Sequence, residues 1–171
     1  MRYRTATAVV IFFFLFFLGM YRSSVQSSAY STPNSLYRKA PPFTLPETFG
    51  GQVDLDSFRG RPVLLVFWNM ANAECRRELS LVNQLAPDYR SKGIGVVAIH
   101  LGDVDLKSYL HSNQISMTSL IDEDGSVAEE YDVEGQHQLV LIGRDGKVKQ
   151  VSAAIADEDL LRKWMDLASG T

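Results

Sequence analysis

One thiol carries whatever covalent sulfur chemistry this chain can do. Cys75 is the single cysteine in 171 residues. It lies in Phe67-Trp68-Asn69-Met70-Ala71-Asn72-Ala73-Glu74-Cys75-Arg76-Arg77-Glu78-Leu79. An apolar run, Val63 to Trp68, feeds a short polar loop there, and a helical pattern follows. That order puts Cys75 in the first turn of a helix, where backbone N–H groups point outward and favour negative charge. A thiol held there can be pushed toward thiolate, the form that does chemistry. The bland alternative is a small buried side chain; the functional one is a thiol that forms a mixed disulfide or a sulfenic acid. Glu78, one turn on, can take or give a proton, or is a solvated helix residue. Asn72 suits the N-cap, its side-chain oxygen accepting from the N–H of Glu74 or Cys75. Trp68 reads as core and as a wall of the site at once.

The elements that position these groups follow from pattern. Pro41 to Pro46 is extended by proline restriction. Phe49-Gly50-Gly51-Gln52 turns into Val53-Asp54-Leu55, a short alternating strand. Ser57 to Pro62 turns into the first core strand, Val63 to Trp68. Periodicity predicts a helix from about Asn72 to Arg90, with Leu79, Val82, Leu85 and Ala86 inward. Pro87 should kink that helix or end its regular part. Ile94 to Leu101 and Met117 to Ile121 read as strands, and Asp103 to Asn113 as a helix between them. Ser126 to Tyr131 gives one or two helical turns. Leu139 to Ile142 and Lys147 to Val151 form a hairpin, and Asp157 caps a final helix. The order is βαβαβ, then ββα, a central mixed sheet with helices on both faces.

Arg2 and Arg4 precede an apolar run from Ala6 to Tyr21. Residues 1–22 therefore read as a signal peptide or signal-anchor. Both stay open: the run is shorter than the ~20 residues of a comfortable span, and Ser27-Ser28-Ala29 offers small residues of the kind a signal peptidase accepts. Residues 23–39, rich in serine, read as a flexible tether, and residues 40–171 as the domain. The expected location is the extracytoplasmic side of a membrane, or secreted or periplasmic if the signal is cleaved. Residues 1–39 hold five basic residues and no acid, whereas residues 40–171 hold 12 basic and 20 acidic ones. An acidic domain with no basic cluster in its sequence argues against nucleic acid and against wide contact with anionic lipid.

The segment around Cys75 resembles the active-site segment of thioredoxin-fold proteins, in particular the exported, membrane-tethered TlpA/ResA type related to the AhpC/TSA redoxins. There the pattern runs F-W-x-x-W-C-x-x-C-x-x-E. Phe67, Trp68, Cys75 and Glu78 match it, Ala71 replaces the second Trp, and Asn72 replaces the first Cys. The stretch from Ala40 to Trp68 is also similar to the start of these domains. The resemblance covers about residues 40–168 and implies a thioredoxin-like three-layer α/β/α sandwich. It also implies thiol–disulfide oxidoreductase activity, whose cycle needs one thiol to attack and one to resolve. A second departure lies before the hairpin, where His137 stands at the family's cis-proline position. A cis bond before a non-proline residue costs about 2.5–4 kcal/mol, so Gln136–His137 is expected to be trans. In the family this loop faces the active-site loop, so His137 should lie near Cys75. It is then either a base paired with the thiol or an exposed loop histidine.

Three functions compete. The first is a TlpA/ResA-like protein acting on protein thiols or disulfides through Cys75 alone. The second is a redox-inactive thioredoxin-fold module that binds an envelope protein. The third is a single-cysteine peroxidase; such relatives carry Thr where Asn72 stands and use an Arg on the peroxide, whereas Arg76 and Arg77 read as helix-surface charges. No cofactor is expected. His100, His111 and His137 are scattered and lack acids at ligand spacing, which argues against a metal site. The expected partners are a protein, and the membrane through the N-terminal segment.

Overall fold

Every residue from Val63 to Trp68 is buried, and the rest of the domain is laid down around that strand. The computed structural model describes residues 38–170. The expected signal or anchor and nearly all of the tether lie outside them. Among the described residues no helix is long and apolar enough to cross a membrane.

The elements are β1 (Thr44–Pro46), β2 (Gln52–Asp54), a 3-10 turn (Leu55–Phe58), β3 (Val63–Trp68), α1 (Ala73–Ser91), β4 (Gly95–Leu101), α2 (Lys107–Ser112), β5 (Thr118–Asp122), α3 (Ser126–Glu130), β6 (Gln138–Ile142), β7 (Val148–Ser152) and α4 (Glu158–Ser169). The main sheet has the order β5-β4-β3-β6-β7. β3, β4 and β5 run parallel, and β6 and β7 join antiparallel. This is the expected thioredoxin-like α/β plan, a central mixed sheet with helices on both faces.

Alternation along β3 divides the core in two. Leu64, Val66 and Trp68 face Leu79, Val82 and Tyr89 of α1, Leu110 of α2, and Leu161 and Trp164 of α4. Val63, Leu65 and Phe67 face the β1 arm through Phe43 and Leu45, and α3 through Val127, with Tyr131 just beyond it. β1 and β2 pair into a small sheet of their own.

One of the two alternatives for Pro87 falls, and one helix start is corrected. Pro87 does not end α1, which continues to Ser91. Proline removes one N–H from the ladder, but the last turn is pinned by Tyr89, wholly buried, whose hydroxyl donates to the Leu161 carbonyl at 2.6 Å. The helix expected from Asp103 starts only at Lys107. The Asp105 side chain accepts from the Lys107 N–H at 3.0 Å, so it forms a local turn in place of helix.

Candidate functional site

The end of β3 and the start of α1 bring the site together. The Asn72 side-chain oxygen accepts from the N–H of Glu74 at 2.8 Å and of Cys75 at 3.3 Å. The strongest anion-binding point of the helix start is therefore filled by a neutral amide oxygen. Cys75 lies three residues further in, on the buried face. Its sulfur is wholly buried and donates to the Gln136 carbonyl at 3.5 Å. Burial pushes the Cys75 thiol up from its ordinary value; backbone N–H at Asn69 opposes this, and the Glu78 carboxylate adds to it. The resting group is a protonated thiol turned away from solvent.

Glu78 is not a solvated helix residue. It is 1% exposed, and its two oxygens hold separate parts of the chain. Oε1 accepts from the Ala156 N–H at 2.5 Å. Oε2 meets Nε2 of His137, in a buried pair that closes very tightly. His137 is buried as well, which corrects the exposed-loop reading. Its Nδ1 lies 3.4 Å from the Ala153 carbonyl, which can only accept, so Nδ1 carries a hydrogen. Both ring nitrogens are engaged, so the imidazole pairs with Glu78 and not with the thiol. α1, the loop before β6 and the segment after β7 are clamped at one point, next to Cys75.

No peptide bond among the described residues is cis. The Gln136 carbonyl, in the loop before β6, points inward and accepts from the Cys75 thiol.

Three contributors escaped the sequence reading. His100, at the end of β4 and opposite Trp68 in the sheet register, accepts the Met70 N–H on Nε2 at 3.1 Å. Its Nδ1–H donates to the Gly102 carbonyl at 3.1 Å. Arg76 reaches back to the Met70 carbonyl at 2.6 Å, so its guanidinium holds the loop and is more than a helix-surface charge. Tyr109 and His100 pack against Trp68 at 5.7 and 5.0 Å between ring centres, forming the wall beside the loop. A histidine ending a parallel strand beside the strand that feeds the site was the available signal. Among the described residues no group of three metal-ligating side chains occurs.

The His100 arrangement predicts a pH dependence. Burial lowers its pKa below the ordinary value of 6.5. The unfolded chain therefore takes up a proton first as pH falls, and stability is lost from near 6.5 down toward the folded pKa. Denaturant midpoints should fall as pH drops below about 6.5, and part of that slope should vanish in His100→Gln. An unchanged slope would contradict a neutral, loop-holding imidazole.

Comparison with known proteins supplies the family. The profile of the AhpC/TSA family matches residues 36–151. Thiol-disulfide oxidoreductase ResA of Bacillus thuringiensis subsp. konkukian is 30% identical over 130 residues, with 75% of each chain covered. ResA of Bacillus subtilis is 27% identical over 130 residues, covering 75% of this chain and 73% of its own. A crystal structure from Chlorobium tepidum, described as a thiol:disulfide interchange protein DsbE, superposes with a TM-score of 0.73 at 31% identity, covering 79% of this chain and 98% of that one.

Proposed function

We propose, because this chain belongs to the AhpC/TSA family in its TlpA/ResA-type thioredoxin-like branch, that it is an exported, membrane-tethered member that binds a protein partner and runs no thiol–disulfide cycle of its own. One cysteine cannot both attack and resolve. The observation that carries the reading is the closed site. Asn72 fills the helix-start position, and the Cys75 thiol is buried with its proton on the Gln136 carbonyl. The partner would be a protein of the envelope.

A second reading rests on the Glu78–His137 pair, one helical turn from the sulfur. If the site opens locally, that pair could accept the thiol proton. Cys75 would then attack an external disulfide, forming a mixed disulfide and releasing a partner thiol, and a second external thiol would have to free it.

Insulin disulfide reduction in the presence of dithiothreitol separates the two. Wild type and Cys75→Ser are expected to reduce insulin equally, and a cognate partner is expected to bind both alike. Reduction by wild type well above the variant would overturn the binding-module reading in favour of one-thiol chemistry.

A further inference from the structure

The end of the sheet away from Cys75 carries a groove of about 440 Å³. Three stretches line it: Lys39 to Pro42, where the described chain begins, the turn before β3, and the β6–β7 turn. The sequence reading found no basic cluster, but the fold builds one. Lys39, Arg59, Arg61 and Arg144 all line the groove, with two acids, Asp56 and Asp145. Both acids are already engaged. Asp56 pairs with Arg59 at 2.8 Å, and Asp145 with Lys149, also at 2.8 Å. Arg61 rests on the Phe58 ring at 4.7 Å, a contact that steadies its guanidinium without neutralising it. Lys39, Arg61 and Arg144 are exposed and have no carboxylate partner among the described residues. On a domain of net negative charge, such a concave positive spot concentrates potential toward an anion.

Two further observations select the anion. Residues 1–37 contain no acid, so that stretch cannot neutralise the groove by folding onto it. The same stretch holds the apolar run from Ala6 to Tyr21, and the chain leaving it enters the domain at the groove wall, at Lys39. A membrane that takes up the run is therefore nearest, along the chain, to this pole. β3 leads away from the groove, starting at Val63 and ending at Trp68 beside the thiol, a span of about 17 Å at the rise of a strand.

We propose that this groove seats the phosphate groups of anionic phospholipids, laying the basic pole on the membrane and turning the Cys75 pole outward toward partners. The inference rests on the tether reading given under the proposed function. Guanidinium forks match phosphate oxygens bidentately, and lysine adds a point charge. Each cation near an anionic surface strengthens association about fivefold, so the three uncommitted ones contribute about a hundredfold.

The test uses the full chain in nanodiscs of phosphatidylcholine alone and in discs also containing phosphatidylglycerol. Amide hydrogen exchange is read at Arg59 to Arg61 and Arg144 to Gly146, with Asn69 to Asn72 as the distal control. The groove segments are expected to exchange more slowly in the anionic discs only, and high salt should remove the difference. The double variant Arg61→Gln/Arg144→Gln, both positions exposed, should weaken the pole's hold on the disc about 25-fold. Equal exchange in the two discs would overturn the proposal. So would equal slowing by inorganic phosphate in neutral discs, which would make the groove a small-anion site. A chain that enters neither disc would instead overturn the tether reading, and this inference with it.

Discussion

Replacing His137 with alanine lowers the unfolding free energy by about 3–5 kcal/mol, the range for removing one partner of a buried ion pair. Glu78 is 1% exposed, and its other oxygen is already committed to the Ala156 N–H. Without the imidazole, Oε2 faces a cavity in place of a proton donor, and the carboxyl must either stay unpaired or take up a proton in a buried site. The damage spreads because the pair joins three segments that are distant in sequence. Glutamine at 137 can still donate to Glu78 but lacks the Ala153 contact, so its loss should be smaller. Urea unfolding of wild type, His137→Ala and His137→Gln checks this. A loss for alanine no larger than the ~1 kcal/mol of an exposed pair would mean that the clamp does not hold the site.

Asn72→Cys is expected to create a redox-active pair where wild type has none. At position 72 the side chain receives the N–H of Glu74 and Cys75. A sulfur placed there would meet the same donors, and a helix start stabilises thiolate. Positions three apart at a helix start are within disulfide reach. The variant should therefore form an intramolecular disulfide under a glutathione redox buffer and reduce insulin above the wild-type rate. Losing the asparagine cap should cost about 1 kcal/mol. Mass spectrometry after alkylation reads the disulfide directly. If both thiols stay alkylatable under oxidising conditions, restoring the first cysteine alone does not restore the pair.

The elements that carry the fold were legible because each satisfies a local rule. β3 is an unbroken apolar run between turn residues, as a strand buried on both faces must be. α1 repeats apolar residues at helical spacing behind an Asn cap. The burial of Glu78 was not read, because a carboxylate on a helix reads as solvated. Residues 75, 78, 79, 82, 85, 86 and 89 form one buried stripe of α1, and Glu78 lies in the middle of it. What could not be read was the partner. His137 is 59 residues from Glu78, and only the crossing of β6 beside β3 brings them together. With no pairing information, a histidine in a polar loop reads as exposed. His100 was missed for a related reason, since its role depends on the β3–β4 register that sets it beside Trp68 and the Met70 loop. The basic groove was hidden because its cations come from three separated stretches, each unremarkable alone.

Cys75 rests as a closed, protonated thiol, buried against the Gln136 carbonyl. The most direct measurement is the rate of Cys75 alkylation against pH on the native chain, compared with the same chain in denaturant. The account predicts slow native alkylation, an apparent pKa above the unperturbed value of about 8.5, and fast reaction only on unfolding. Fast native alkylation with an apparent pKa well below that value would contradict it and make Cys75 a working nucleophile.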